Sequence, residues 1–240
     1  MLYYAIGDIH GCNKALKRIL KKIRADAETR AKGQDWRIVL LGDYVNRGPD
    51  TAKVLDRVIK LVQQGHIALP GNHEAVMHAA LTAEADDLDR ACERWWLNGA
   101  KQTLKSYGLR NPSRRTIRTG ITLSPEHHRK FLKSILKKKR VFHRDEADGL
   151  FFVHAGVRPE KTASQSTKEV FLWSRAPNFM APDGPRWVDD LTVVHGHTPV
   201  KAPEVYAHRV GLDTGAVYGG RLSAGVFEDG QLTEILSVKP

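Results

Sequence analysis

The stretch LYYAIGDIHG, residues 2–11, decides the fold, because an apolar run ends directly in an acidic residue and a histidine. Residues 2–6 form the short continuous apolar run that is typical of a buried β-strand. Residues 13–25 then repeat apolar side chains at the 3.6-residue spacing of an amphipathic helix. A strand, a polar turn and a helix in this order predict an α/β fold in which ligands collect at the carboxyl ends of the strands.

The same order repeats along the next part of the chain. Residues 37–41 predict a second buried strand, residues 51–64 a second helix that Gly65 ends, and residues 67–69 a third strand. Strand–helix–strand units of this kind have parallel strands and right-handed crossovers. The first 70 residues therefore predict a βαβαβ unit.

The sequence pattern changes at about residue 84. Helical patterns run from there to residue 140; one covers residues 86–98, and another has Ser124 as its N-cap and Pro125 as its first residue. Further strands are predicted at residues 150–153, 191–194, 205–212, 222–227 and 232–238. We expect one domain, residues 1–240, with a basic helical cap segment at about residues 84–140.

Six side chains with metal-binding chemistry follow predicted strands, inside five glycine-containing motifs. They are Asp8, His10, Asp43, Asn72, His154 and His197. A mixed set of carboxylates, an amide and imidazoles suits two divalent metal ions that must stay Lewis-acidic and hold a water. We expect Asp43 to bridge the two ions. Asp8 and His10 would complete the first site, and the remaining three residues the second.

The five motifs together resemble one known family. They read GDIHG at 7–11, GDYVNRG at 42–48, GNHE at 71–74, HAG at 154–156 and GHTP at 196–199. This set resembles the phosphoprotein phosphatase branch of the calcineurin-like metallophosphoesterases, and especially its small bacterial and phage members. The runs at 96–99, 173–175 and 213–218 are also similar to these enzymes. The resemblance implies an α/β fold with a central two-sheet β-sandwich flanked by helices. It also implies two metal ions, usually manganese; the same ligands accept iron or zinc.

The resemblance also implies roles for residues near the metals. His73 matches the histidine that acts as general acid, and Asn72 belongs to the same substrate-facing motif. Arg47 and Arg175 match arginines that grip the phosphate, a role suited to the bidentate guanidinium. Asn46 departs from the family, which has an aspartate there to hydrogen-bond the catalytic histidine. An amide supplies no negative charge, so we expect reduced turnover with intact metal and phosphate binding.

The positive charge is concentrated in one segment. The formal net charge is +11, and residues 101–140 contain thirteen Lys and Arg and one acid. This segment either recruits a polyanionic substrate, which would be a nucleotide, an RNA end or an acidic phosphoprotein, or is a solvated helical face. Its aromatic residues are Tyr107 and Phe131 only, so it presents no stacking platform for single-stranded nucleic acid.

These observations favour a cytosolic Ser/Thr protein phosphatase that hydrolyses phosphate monoesters by direct attack of a metal-bridging hydroxide. One alternative is a diadenosine polyphosphate hydrolase, acting on a bis(5'-nucleosyl)-tetraphosphate. Another is a phosphate-binding protein weakened in catalysis by Asn46. The absence of an apolar run long enough to span a membrane, and of a signal peptide at Met1, agrees with a cytoplasmic protein. Cys12 and Cys92 fit no disulfide or zinc pattern, so we expect reduced thiols.

Overall fold

The computed structural model has two five-stranded β-sheets packed face to face, with helices on their outer surfaces. It describes residues 1–137 and 141–240, so the end of the basic run, Lys138, Lys139 and Arg140, lies outside the described residues. This architecture confirms the predicted α/β fold with a two-sheet β-sandwich flanked by helices. Both cysteines are buried free thiols. Within the described ranges, no helix combines the length and the apolar character that crossing a bilayer requires.

The elements have the following bounds. The strands are β1 (Leu2–Ile6), β2 (Trp36–Leu40), β3 (Ile67–Ala68), β4 (Phe142–Asp145), β5 (Leu150–Val153), β6 (Thr192–His195), β7 (Glu204–Tyr206), β8 (Arg209–Gly211), β9 (Leu222–Glu228) and β10 (Gln231–Val238). The helices are α1 (Asn13–Arg30), α2 (Thr51–Gln63), α3 (Asn72–Thr82), α4 (Ala85–Leu97), α5 (Ala100–Ser106), α6 (Ile117–Thr122), α7 (Glu126–Ile135), α8 (Lys168–Trp173) and α9 (Pro177–Met180).

The first sheet has the order β10-β9-β1-β2-β3, and its central strands confirm the predicted βαβαβ unit. β1 runs parallel to β2, and β2 parallel to β3, while β9 pairs antiparallel with β1. Helices α1 and α2 cover its outer face with their apolar sides. The carboxyl ends of the three parallel strands therefore lie at the same edge of the sheet.

The second sheet has the order β4-β5-β6-β8-β7 and packs its inner face against the first. The core between the sheets is apolar, and the Tyr3 ring lies 5.2 Å from that of Phe152, centroid to centroid. Strands β5, β6 and β8 are parallel. The two sheets are also joined at the edge that carries the polar motifs, because His154 Nδ1 lies 2.9 Å from the carbonyl oxygen of Leu41.

Several predicted boundaries were wrong. Helix α1 continues five residues past the predicted end, because Ala27 packs into the core and Arg30 pairs with Asp26 at 2.9 Å. The predicted strand 205–212 is two antiparallel strands, β7 and β8. Ser124 does not cap α7, since its hydroxyl donates to the carbonyl of Ile121, and the helix begins at Glu126. Helices α3, α8 and α9 and strand β4 were not predicted.

One hydrogen bond between the sheets gives a stability prediction. Tyr3 on β1 donates to the carboxylate of Asp145 on β4 at 2.7 Å. We expect Tyr3→Phe to lower the free energy of unfolding by about 1–1.5 kcal/mol at pH 7, measured by urea denaturation. The control is Tyr206→Phe on β7, which should change stability by less than about 0.5 kcal/mol.

The same hydrogen bond makes the free energy of unfolding depend on pH. Burial raises the pKa of Asp145, but the hydrogen bonds from Tyr3 and from backbone amides outweigh it, so the pKa lies below its usual 3.8. A depressed carboxyl pKa stabilises the fold above the unfolded-state value, and this contribution is lost as pH falls through the folded-state value. The difference between wild type and Tyr3→Phe should therefore shrink below pH 3.8. A constant difference down to that range would contradict the assignment.

Candidate active site

Asp43 is at the centre of the polar cluster at the strand ends. It follows β2, is almost fully buried and has a left-handed backbone with φ 51°. Its two carboxylate oxygens face different imidazoles: Oδ2 lies 3.4 Å from His10 Nε2, and Oδ1 lies 3.4 Å from His154 Nε2. The backbone N–H of His73 also donates to Oδ1, at 3.0 Å. A carboxylate that offers one oxygen to each of two ligand sets has the arrangement expected of a metal bridge.

Backbone carbonyls fix the tautomers of these two imidazoles. His10 Nδ1 lies 2.8 Å from the carbonyl oxygen of Val45, and His154 Nδ1 lies 2.9 Å from that of Leu41. A carbonyl oxygen only accepts hydrogen bonds, so both Nδ1 atoms carry the proton. Each Nε2 lone pair is thereby directed at the Asp43 carboxylate. In metal sites, the ring nitrogen of a ligand histidine that does not bind the metal commonly donates to a carbonyl oxygen.

Asn72 brings a further acceptor into the cluster. Its Oδ1 lies 2.9 Å from His154 Nε2 and 3.0 Å from His197 Nδ1. Because His154 carries its proton on Nδ1, its Nε2 and the Asn72 oxygen are both acceptors. Two lone pairs that meet at this distance repel each other unless a cation lies between them. The contact therefore fits a metal ion held by these side chains.

A pair of buried carboxylates, Asp8 and Asp213, lies beside this group. Asp8 accepts a hydrogen bond at 3.0 Å from the backbone N–H of His197. The carboxyl of Asp213 lies against that of Asp8. Sequence reasoning did not assign Asp213 a role, although it follows β8 as the predicted ligands follow their strands. Position after a strand was the signal that could have found it.

Burial is the main cause of the pKa shifts in this cluster. Burial raises the pKa of Asp8 well above its usual range and that of Asp43 to about 7. Burial also lowers the pKa of His10 to about 3 and that of His154 to about 4. The imidazoles are therefore neutral and can offer lone pairs, while the carboxylates need cations to stay ionised.

Two groups of ligand atoms share Asp43. One is His10, Asp43 and His73; the other is Asp43, His154 and His197; within each group the atoms lie within 4.8 Å of one another. The donor set of oxygens and imidazole nitrogens therefore fits two divalent metal ions. The first group includes His73, which we expected to act as an acid rather than as a ligand; its Nε2 is 3.9 Å from Asp43 Oδ2.

The glycines of the motifs allow the carboxylates to reach the site. A Cβ on Gly71 would collide with the carboxylate of Asp43, and one on Gly196 would collide with that of Asp8. Backbone strain is concentrated in the same loops. The described residues with positive φ that are not glycine include five predicted site residues: His10, Asp43, Asn46, Arg47 and His197. Strain of about 1–3 kcal/mol per residue is retained only where surrounding contacts impose the conformation.

The two arginines predicted to grip phosphate lie at the mouth of the cluster. Arg47 and Arg175 line a cavity of about 220 Å³ together with site residues, Asn98 and Trp173. Arg47 also donates to His10 Nε2 at 2.8 Å, so its guanidinium contacts the lone pair that would bind a metal. Arg175 lies 3.4 Å from the carbonyl oxygen of His197.

Asn46 is fully buried, and its orientation is determined by its neighbours. The indole N–H of Trp95 donates to Asn46 Oδ1 at 2.8 Å, and the hydroxyl of Thr103 donates to the same oxygen at 3.0 Å. Because an indole is only a donor, the oxygen must face Trp95 and the amide NH₂ must face His73. Asn46 Nδ2 lies 3.0 Å from His73 Nδ1. The amide therefore donates to that ring nitrogen, which leaves the ring proton on Nε2.

Comparison with known proteins identifies the family. The sequence profile of the calcineurin-like phosphoesterases matches residues 1–221. The chain belongs to this family. It is therefore a hydrolase of phosphate esters, and the resemblance drawn from the five motifs is confirmed.

Named relatives cover the whole chain. The asymmetrical bis(5'-nucleosyl)-tetraphosphatase PrpE of Anoxybacillus flavithermus is 28% identical, over all of this chain and 96% of the relative. The enzyme of the same name from Halalkalibacterium halodurans is 27% identical with the same coverage. Among solved structures, a putative diadenosine tetraphosphatase has a TM-score of 0.65 at 24% identity, covering 99% of this chain and 92% of that chain. At this identity the structural match supports the fold alone.

Glu74 holds in place the loop that carries Asp43. It is fully buried and accepts backbone N–H bonds from Gly71 and from the loop residues Asp43, Tyr44 and Val45, at 2.7–3.1 Å. Sequence reasoning gave it no role, although an acid at the third position of a helix is the signal for a capping contact. Glu74 thus connects the start of α3 to the loop that carries Asp43.

Removal of this carboxylate should be strongly destabilising. We expect Glu74→Ala to lower the free energy of unfolding by about 4 kcal/mol, because several buried N–H groups lose their acceptor. Glu74→Gln keeps one oxygen and should lose about half as much. The control, Glu84→Ala at an exposed position, should stay within about 0.5 kcal/mol of wild type in the same denaturant titration. A loss below about 1 kcal/mol for Glu74→Ala would contradict this role.

Proposed function

We propose that this phosphoesterase hydrolyses bis(5'-nucleosyl)-tetraphosphates asymmetrically, using two divalent metal ions. The residues that would hold the ions are Asp8, His10, Asp43, Asn72, His154 and His197. Bound there, the ions would supply Lewis acidity, which lowers the pKa of a water and neutralises charge on phosphoryl oxygens. Manganese fits the mixed oxygen and nitrogen ligands, as do iron and zinc.

The positions of the two arginines support a role in phosphate recognition. Arg47 and Arg175 approach the cavity from two different loops, and each carries a planar guanidinium that can donate two parallel hydrogen bonds to a phosphoryl group. For Arg47 to bind phosphate, its guanidinium must leave the His10 nitrogen that it now contacts. His10 would then be free to hold a metal ion, and the guanidinium of Arg47 could face the phosphoryl group.

The observation that carries the substrate class is the apolar surface around the cavity. Trp173, which lines the cavity, keeps about a third of its surface exposed. Tyr218 is more than half exposed and its ring lies 5.6 Å below the guanidinium of Arg47. Leu97, next to the cavity residue Asn98, is also largely exposed. Aromatic faces beside phosphate-binding arginines suit the bases of a nucleotide.

There is also room for a second nucleotide. A groove of about 490 Å³ shares Trp173 and Arg175 with the cavity and continues past Arg158. A dinucleotide needs such a continuation, since two nucleosides extend from the phosphate chain. The nucleotide alternative is therefore better supported than the Ser/Thr protein phosphatase, which the relatives support only at the level of the family.

The described basic residues of the segment 101–137 lie away from this cavity. Its ten described Lys and Arg residues are all exposed, and none of them lines the cavity or the groove. Arg114 pairs with Glu93 at 3.1 Å and Arg118 with Asp89 at 2.5 Å, so part of the charge is balanced by α4. Recruitment of a polyanion by this segment stays a proposal. Of the two aromatic residues of the segment, Phe131 is buried and Tyr107 is half-buried.

The test of function is a comparison of substrates with Mn²⁺ present. We expect diadenosine tetraphosphate to give ATP and AMP with a kcat/KM about 10²-fold higher than that for a phosphoserine peptide. Trp173→Ala should lower kcat/KM about tenfold more for the dinucleotide than for p-nitrophenyl phosphate, because stacking of one base contributes about 1–3 kcal/mol. Trp173→Phe should recover most of this loss.

The same comparison separates the alternatives. Preference for the phosphopeptide would support the Ser/Thr protein phosphatase. Metal and phosphate binding with hydrolysis at background for every substrate would support a catalytically weakened binding protein. Two equal ADP products would contradict asymmetrical cleavage.

The contact between Asn46 and His73 gives a second prediction, which concerns proton donation by His73 to the leaving oxygen. We propose His73 as the donor to the leaving oxygen; the amide of Asn46 opposes this because it donates to Nδ1 and disfavours a ring protonated on both nitrogens. An aspartate could accept from Trp95 with one oxygen and from His73 with the other. We expect Asn46→Asp to raise kcat about 10²-fold for phenyl phosphate.

The choice of leaving group makes this prediction specific. p-Nitrophenolate is a weaker base than phenolate and needs less protonation, so its gain from Asn46→Asp should be smaller. Asn46→Ala is the control: it removes the opposing amide but supplies no negative charge, so its gain should be much smaller than that of Asn46→Asp with both substrates. An unchanged kcat of Asn46→Asp on both esters would rule out the proposed role of the amide.

A further inference from the structure

A second cluster of metal-binding side chains lies outside the active site. Asp56 on α2 and His127 and His128 on α7 bring their ligand atoms within 4.8 Å of one another. The Nε2 atoms of the two histidines lie 3.0 and 2.9 Å from the same oxygen, Asp56 Oδ1. A single ion pair would need only one imidazole. Here two imidazoles from adjacent positions of a helix converge on one carboxylate oxygen.

The distances are close to those of a tetrahedral zinc site. Ligand bonds of about 2.0–2.2 Å to Zn²⁺ place neighbouring ligand atoms roughly 3.3 Å apart. The two imidazole nitrogens therefore need to move by only a few tenths of an ångström from the Asp56 oxygen to admit the ion. The side chains of Asp56 and His127 are each 59% exposed, which leaves an open side for a water as fourth ligand.

The buried member of the cluster is already oriented. His128 is 1% exposed, and its Nδ1 lies 3.1 Å from the hydroxyl of Tyr107. Without a metal, Nε2–H donates to Asp56; when an ion takes the place of that proton, the hydroxyl of Tyr107 can accept from Nδ1–H and hold the ring in the tautomer that a ligand needs.

We propose that Asp56, His127 and His128 bind a zinc-class ion that ties α7 to α2. Two imidazoles and one carboxylate favour Zn²⁺, Co²⁺ or Ni²⁺ over the harder Mg²⁺ and Ca²⁺. The ion would join residues that lie 71 positions apart in the chain, and it would not border the catalytic cavity.

The proposed ion site is connected to the active site through the helices that carry it. Helix α7 also packs against α3, which begins at Asn72. Helix α2 begins at Thr51, whose hydroxyl is 3.1 Å from that of Thr103, and Thr103 donates to Asn46. An ion at the cluster would therefore join α2, whose first residue contacts Thr103, to α7, which packs against the helix that begins at Asn72.

The experiment counts zinc in matched variants. The metal-stripped protein is incubated with Zn²⁺, desalted and analysed for bound metal, beside Asp56→Asn, His127→Ala and the control Asp87→Asn, an exposed carboxylate on α4. Active-site ions contribute equally in all four proteins. We expect wild type and Asp87→Asn to retain one more Zn²⁺ per chain than the two cluster variants.

Thermal unfolding provides the second measurement. At a hundredfold excess over Kd, Zn²⁺ bound at the cluster should add about 5–10 °C to the Tm of wild type beyond the shift of His127→Ala. Equal Tm values without metal would show that the exposed His127 substitution leaves the fold intact. Equal zinc contents in the four proteins, or equal zinc-induced shifts, would show that the cluster is only an Asp–His ion pair and would overturn the proposal.

Discussion

The structure depends on one buried carboxylate, Asp43, that is shared between imidazoles from two sheets. An isolated carboxylate in such a place would be strongly disfavoured, and its raised pKa shows that the protein alone does not compensate for the burial. The features around it make the position possible. Glycine at position 71 provides the space, and Glu74 binds the backbone of the loop. The left-handed backbone of Asp43 is kept by these contacts and not by local preference.

The site also explains why both sheets are needed. Asp43 follows a strand of the first sheet, whereas His154 follows a strand of the second, and the carbonyl of Leu41 fixes the orientation of His154 across the two. Neither sheet alone carries both groups of candidate ligands. The apolar core between the sheets therefore holds the strand ends that carry these candidate ligands against each other.

Much of this could be predicted from the sequence, and the failures have physical causes. The strand of residues 2–6 and the βαβαβ unit were found because their apolar periods are strong and local. The structure brings the candidate ligand residues together because each of their glycine-containing motifs follows a strand. Asp213 and the exposed faces of Trp173 and Tyr218 were missed because their proximity to the site depends on contacts between distant segments. The break between β7 and β8 was missed because its turn contains neither glycine nor proline.

The most direct test of the central claim, that the Asp43 cluster works by holding divalent ions, is hydrolysis of p-nitrophenyl phosphate by metal-stripped protein with and without Mn²⁺. It should be performed on the Asn46 protein and on Asn46→Asp together, so that a weak proton donor is not mistaken for an inactive metal site. The account predicts hydrolysis only with Mn²⁺, in one or both forms, and its loss in Asp43→Asn. Hydrolysis that is the same without metal, or that persists in Asp43→Asn, would contradict the account.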